Sequence, residues 1–500
     1  MFPHTWRAHW ALDEDPFVQE DADKDPVLAR IPDTAVHSSF DRLFGSAGSP
    51  APGVVFGEKG SGKSSLRLAM RRRLAAESAF FVEYVEFDSF LTEARKADRL
   101  PPSAPKTARK VVDRFSLTDH VDALLSLGTT KLVDSILDGG HPRVSQLAPK
   151  SKATLMALAS LYYRSDDRSG AEVDRGLQKR VKLRSSRPFL RSLGKTLGTL
   201  AGLALAAVPH ADVVGLELPF EVGDAGNWYG GGAALFGATW LFHAINAGLV
   251  RRRASQAARS VRVVPRDPEP LQRLLGRLGK SVSSDLALPD GEGIGTRLVL
   301  LQRFIRLLGD LGHSSYWVLM DRVDEATALA GNADLMRTFV ESMLEHRLLQ
   351  FEGLALKLFL PIELSRLYLG ASPDELKSMR LDKANSIPEL RWSGHELVEV
   401  AVQRLRAVRP EGTPSDRPGG RLAEFFDDDL TGDDVRDALG ELGTPRLAFG
   451  FLGALFSEHA RELDDDLAAE DPAWRIPRRR FDIIHASWVD RARGLRRSLN

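Results

Sequence analysis

The sequence contains no cysteine. Disulfides, thiolate metal sites and cysteine nucleophiles are therefore excluded. It also carries no net charge, since 68 Lys and Arg residues balance 68 Asp and Glu residues. Nucleic-acid binding is thus not indicated by net charge. The N-terminus, Met1-Phe2-Pro3-His4-Thr5-Trp6, lacks a basic stretch followed by an apolar one and does not read as a secretory signal. A further deficit is local. No Lys or Arg occurs from Thr196 through Val250, although 68 of 500 residues are basic.

An apolar fraction of 43% and a charged fraction of 27% are those of a globular protein. The length predicts about two or three structural units. One stretch organises them: Val54-Val55-Phe56-Gly57-Glu58-Lys59-Gly60-Ser61-Gly62-Lys63-Ser64-Ser65. Gly57 and Gly62 stand at P-loop spacing, with Lys63 and Ser64 following. An apolar run precedes the motif and a helical pattern follows it, as the motif requires. Gly57, Gly60 and Gly62 let backbone N–H groups turn inward and form an anion nest at a helix N-terminus. Residues 57–65 are the expected nucleotide contacts. Lys63 is expected on the β- and γ-phosphates, and Ser64 on Mg²⁺ through its hydroxyl.

The helix after the loop is predicted over Ser64–Ala76. Leu66, Met70 and Leu74 face the sheet, and Arg67, Arg71, Arg72 and Arg73 point mostly outward. Phe80–Phe87 reads as a strand. Tyr316-Trp317-Val318-Leu319-Met320-Asp321 is an apolar strand ending in an acid, the Walker B pattern. Asp321 would position Mg²⁺. Glu325, or Asp324 in second place, would orient and deprotonate the attacking water. Gly353–Leu360 is the next strand, with Glu363 or Ser365 after it as candidate γ-phosphate sensors. Gly443-Thr444-Pro445-Arg446 opens a later helix, and Arg446 is expected to reach the γ-phosphate. A plain surface role for Arg446 stays open. His120 with Asp119 and Asp122 reads as a capping and surface cluster, since no second ligand pair follows at metal spacing.

The window without Lys or Arg is bordered on both sides by bases without acids. Lys179, Arg180, Lys182, Arg184, Arg187, Arg191 and Lys195 precede it, and Arg251, Arg252, Arg253, Arg259, Arg262 and Arg266 follow it. Asp212, Glu217, Glu221 and Asp224 lie between the two apolar segments. Basic flanks with an acidic connection are the pattern of a membrane hairpin. Tyr229–Val250, about 22 residues, is long enough to span. Thr196–Val208, about 13 residues, is short, and needs Lys195 to snorkel or the chain to continue past Pro209. Gly194, Gly198 and Gly202 offer a close-packing face. A buried hairpin and a re-entrant or interfacial pair stay open as alternatives.

A P-loop, a long insertion with paired apolar segments, and then Asp321-Arg322-Val323-Asp324-Glu325 resemble the KAP P-loop NTPases, which group with STAND and AAA+ ATPases. The acidic motif stands nearer the STAND-like Asp-x-x-Asp-Glu form. Trp10-Ala11-Leu12-Asp13-Glu14-Asp15-Pro16-Phe17 also resembles the short entry ahead of the P-loop in bacterial AAA+-like ATPases. The resemblance implies an α/β, three-layer P-loop fold with a mainly parallel sheet and an extra strand between the Walker strands. It also implies a large helical insertion holding a two-helix membrane hairpin, and a helical C-terminal region.

The expected layout is a lead-in at 1–50, the first core part at 51–100 and a helical insertion at 101–185. The hairpin follows at 186–252, a linker and helix at 253–300, the second core part at 301–395 and a helical lid and tail at 396–500. The implied function is a membrane-tethered ATPase using ATP and Mg²⁺, coupled to conformational change, in signalling or phage defence by analogy. The alternatives are a nucleotide-dependent switch with little turnover, or an AAA+-like ATPase without a membrane anchor acting on DNA or protein. Implied partners are the nucleotide, a membrane and a further protein, with a homo-oligomer left open. The implied location is the inner (cytoplasmic) membrane with the ATPase domain in the cytoplasm, the alternative being the cytoplasm itself.

Overall fold

The computed structural model describes residues 4–18, 21–31, 37–101, 105–165, 167–183, 187–210, 224–265, 267–291, 293–344, 348–369, 385–414, 417–465 and 474–498. The chain forms two units. One comprises Met1–Asp88 with His313–Asn500, and the other is Ser89–Gly312, which interrupts the first in sequence.

The first unit is α/β. Its sheet has five strands: β1 (Gly53–Gly57), β2 (Phe80–Tyr84), β3 (Tyr316–Met320), β4 (Leu354–Pro361) and β5 (Asn385–Ile387). All pair in parallel, in the order β2-β3-β4-β1-β5. Strand residues alternate between faces. Val55, Trp317, Leu319, Ala355 and Phe359 pack with Leu66, Met70 and Leu74 of the helix Lys63–Ala76 and with Phe40, Leu43 and Phe44. The intervening Val54, Phe56, Val318, Leu356 and Leu358 are equally buried, so both sheet faces are covered. That double burial is why β1 and β3 read as unbroken apolar runs, and β4 as one interrupted only by Lys357.

Three strand boundaries differ from expectation. β2 stops at Tyr84, because Phe87, Phe90, Leu91 and Ala94 repeat at helical spacing and form the helix Phe87–Ala97. β4 begins at Leu354, because Gly353 is left-handed with φ +80°. β5 lies in a stretch expected to be a connector; its three residues, Asn-Ser-Ile, offer no periodicity to detect.

Part of the lead-in is core. Trp6, Trp10, Leu12 and Phe17 share one core with Phe425, Phe451 and Phe456 of the C-terminal helices. The Trp6 and Phe456 rings lie 5.1 Å apart. Buried Arg404 fixes the same segment, pairing with Asp25 at 2.7 Å and donating to the Pro16 carbonyl at 2.6 Å. Lead-in and lid are thus one hydrophobic body, although almost the whole sequence separates them.

The second unit is helical. In it Asp119 does cap the helix Leu117–Leu137, through Ser116. His120 and Asp122 correct the expected surface cluster, for both are fully buried. Asp122 accepts from Arg297 Nε at 3.2 and 3.1 Å and from the Tyr162 hydroxyl at 2.8 Å. Arg297 also donates to the carbonyls of Gly291, Gly293 and Ser260. A fully used guanidinium is what makes a buried charge tolerable.

The helices Arg187–Ala207 and Ala225–Ser260 pack on one another. A Cβ on Gly202 would stand 3.0 Å from the Gly232 carbonyl oxygen, and one on Gly198 would stand 2.7 Å from Thr239. Gly194 has no such neighbour. The Lys195 ammonium lies 3.6 Å from the Trp240 ring centroid, a cation–π contact between the two helices. Among the described residues, one helix, Ala225–Ser260, is long and apolar enough to cross a membrane, and its apolar window is not buried. Asp212, Glu217 and Glu221 lie outside the described residues.

Lys357 is buried within β4, where it donates to the carbonyls of Leu43 and Phe44. Burial pushes its pKa down to about 7. The folded state thus loses this proton near pH 7 while the unfolded chain keeps it to above pH 10. The burial cost is full below the folded pKa and fades as pH rises. Stability of the wild type relative to Lys357→Met should therefore rise between about pH 7 and 10, by up to about 1.4 kcal/mol per pH unit. Urea denaturation of both proteins across that range checks it, and parallel pH profiles would contradict it.

Candidate functional site

β1 ends at Gly57, and the helix Lys63–Ala76 begins six residues later. The turn between them demands glycine twice. Gly60 and Gly62 have φ of +87° and +91°, and both are closely covered. A Cβ on Gly60 would meet Arg446 at 2.5 Å, and one on Gly62 would meet the Trp392 ring at 3.1 Å. The Trp392 indole N–H donates to the Ser61 carbonyl at 2.7 Å and pins the loop from outside. Arg446, at the start of the helix Pro445–Asp465, donates its backbone N–H to the Gly60 carbonyl at 3.3 Å.

The ammonium of Lys63 turns back on the loop, donating to the carbonyls of Gly57 at 2.6 Å and Glu58 at 3.0 Å. Burial lowers its pKa, opposed by the charges of Asp324, Asp321 and Glu363. The Ser64 hydroxyl donates to Asp321 Oδ2 at 2.8 Å. Thus Ser64 and Asp321, 257 residues apart, are neighbours because β1 and β3 lie in one sheet with β4 between them. Asp324 and Glu325 follow in the short turn Val323–Glu325, with Asp324 half-buried and Glu325 exposed.

Arg67 corrects the expected outward arginine face. Its side chain is 3% exposed and joins three acids: Nε to Asp321 at 3.1 Å, Nη2 to Asp23 at 2.7 Å, and Nη1 to Glu83. Arg322 is left-handed with φ +65°. Its backbone N–H donates to Asp321 Oδ1 at 2.9 Å, and its guanidinium bonds Asp21 and Asp23 and approaches Glu325 at 3.7 Å. Arg67, Arg322, Asp23 and Trp392 were not candidates from sequence. Only Arg67 left a signal, one helical turn beyond Ser64 on the same face. Of the two sensor candidates, Ser365 is buried and donates to the Pro388 carbonyl at 2.7 Å. Glu363 is half-buried and close enough to influence Lys63.

A cavity of about 870 Å³ opens at this site. Gly60, Gly62, Lys63, Ser64, Ser65, Asp321, Asp324, Glu325 and Arg446 surround its polar part, with Phe17, Leu28 and Phe449 beyond. Among the described residues no three His, Cys, Asp or Glu side chains form a metal cage. Ser64 and Asp321 instead form a pair of hard oxygen donors. Such a pair fits Mg²⁺, which keeps several waters and takes its remaining oxygens from phosphate. Compared with family models, curated proteins and solved structures, the chain matches none.

Removing the guanidinium in Arg67→Met leaves Asp321, Asp23 and Glu83 facing one another. It should cost about 3 kcal/mol or more in urea denaturation. Arg71→Met, which breaks a partly exposed pair with Glu83 on the same helix, should cost about 0.5 kcal/mol. Equal small losses would contradict the arrangement.

Proposed function

We propose that this chain is an ATP-binding P-loop ATPase of the KAP type, using Mg²⁺ and tethered to a membrane. The observation that carries the reading is the Ser64–Asp321 hydrogen bond of 2.8 Å beside a glycine-rich turn at a helix N-terminus. The strand order supports it, since β4 lies between the strands that lead into the two motifs, as the resemblance implies.

The inward N–H groups of residues 58–65 receive the phosphates, aided by the positive end of the helix. Lys63 exchanges its two loop carbonyls for phosphate oxygens, a charge-assisted contact. Ser64 and Asp321 hold the metal, which when bound offsets charge on the phosphate oxygens. Glu325 takes the proton of the attacking water, with Asp324 beside it as second candidate. Arg446 stands where loop and lid meet, so γ-phosphate contact there couples turnover to movement of the C-terminal helices. Phe17, Leu28 and Phe449 supply the apolar part that a purine base needs.

A second reading has one observation in its favour. The Arg322 guanidinium lies 3.7 Å from Glu325 and competes for the general base. A chain held so would bind nucleotide and switch state with little turnover.

The membrane assignment rests on charge and exposure. Leu197, Leu200, Leu203, Leu241, Phe242, Ile245 and Leu249 are all more than half exposed along the paired helices. Water is a poor solvent for so continuous an apolar surface. With the anchor in the inner membrane, the basic flanks place the ATPase in the cytoplasm.

Lys63→Ala should weaken ATP binding at least about tenfold, read by fluorescent-nucleotide titration; unchanged affinity would sink the assignment. Glu325→Gln should retain ATP and lose hydrolysis, whereas wild-type turnover in this variant would remove Glu325 from the chemistry. The full chain should need detergent, and a chain lacking Ser192–Val250 should not. If the full chain stays in aqueous supernatant, the tether is wrong.

A further inference from the structure

The last turns of the helix Ala225–Ser260 carry a feature that the nucleotide site does not use. A cavity of about 840 Å³ opens there, lined by Arg251, Arg252, Arg259 and Arg262 together with Ser255 and Gln256. Arg252, Gln256 and Arg259 follow one another at four and three residues, which places them on one helix face. Arg262 is already engaged, at 3.2 Å from Asp98 and 3.7 Å from Asp119. Arg251, Arg252 and Arg259 have no acidic partner among the described residues. Three exposed arginines around one hollow form an uncompensated positive site. Ser255 and Gln256 add neutral polar groups to the same hollow.

Its position says which anion fits. Gly248 lines the same cavity, and Leu249 beside it is 54% exposed. Ile245, Phe242 and Leu241 continue the exposed apolar surface away from the arginines. Tyr229–Val250, at 1.5 Å per residue, extends about 33 Å, close to the thickness of a hydrocarbon core. Arg251 is therefore the first residue past the apolar length, at the level of lipid phosphates. A ligand suited to this junction has an anionic phosphate headgroup for the arginines and acyl chains for the apolar helix surface.

We propose that the cavity around Arg251, Arg252 and Arg259 binds the phosphate headgroup of an anionic phospholipid. The guanidiniums supply paired N–H donors to phosphate oxygens. The acyl chains lie along Leu249, Ile245 and Phe242. The proposal rests on the membrane reading of the hairpin for its depth, but its anion selectivity is separately measurable.

The test is native mass spectrometry of the full chain in a non-ionic detergent. The probes are short-chain phosphatidylglycerol, short-chain phosphatidylcholine, inorganic phosphate and a short DNA duplex. Phosphatidylglycerol should be retained roughly tenfold more than phosphatidylcholine, the preference expected of a few basic residues beside an anionic lipid. Arg252→Gln and Arg259→Gln should each reduce that preference, and the triple variant R251Q/R252Q/R259Q should remove it. Equal retention of the two lipids, or a preference that survives the triple variant, overturns the proposal. Retention of inorganic phosphate or of the duplex equal to that of phosphatidylglycerol overturns the lipid assignment. Carbonate extraction of membranes, run in parallel, separates the two readings. Release of the wild-type chain defeats the membrane span alone, whereas a carbonate-resistant chain with no lipid preference defeats the headgroup site alone.

Discussion

Everything at the candidate site is arranged around the carboxylate of Asp321. One oxygen accepts from Ser64 and Arg67, and the other from the backbone of Arg322. A carboxylate so nearly excluded from water is costly unless its lone pairs are used. The three contacts therefore fix where β3 ends relative to the first turn of the helix Lys63–Ala76. They also explain why Arg67 is inside: it neutralises a buried acid held beside the Ser64 hydroxyl. Asp23 and Glu83 complete the balance around that arginine.

The same constraint reaches the lead-in. Asp21 and Asp23 bond Arg322, and Asp25 pairs with Arg404. The short turns carrying these acids continue into the core that holds Trp6, Trp10 and Phe17 against the C-terminal helices. A ligand that drew Asp321 or Arg322 away would therefore be felt by lead-in and lid together. Arg446 meets the loop from the other side, through Gly60. On the proposed nucleotide reading, contacts already present are what would couple binding to movement of the C-terminal helices.

The motif-bearing part of this arrangement was legible in the sequence because its requirements are local. Gly60 and Gly62 must be glycine for backbone reasons, and β1, β3 and, Lys357 apart, β4 are apolar because both sheet faces are buried. Ser64 and Asp321 followed from motif spacing, and their contact follows from the sheet. What was not legible is non-local. The position of Arg67 one turn beyond Ser64 says nothing of burial; the three acids brought from elsewhere bury it. β5 is too short to show a period. The burial of Trp6 and Trp10 could not be read locally, because their partners lie some four hundred positions away. Asp122 looked like surface because Arg297, which makes its burial tolerable, is equally distant in kind.

The most direct test of the phosphate loop is hydrogen–deuterium exchange of the full chain with and without Mg-ATP. Amides of residues 58–65 should slow most as they become phosphate donors, Ser61 least, because its N–H already donates to the Glu58 carbonyl. The start of the helix Pro445–Asp465 should slow with them, through Arg446. Protection confined to other segments, or none at saturating Mg-ATP, would contradict the nucleotide site.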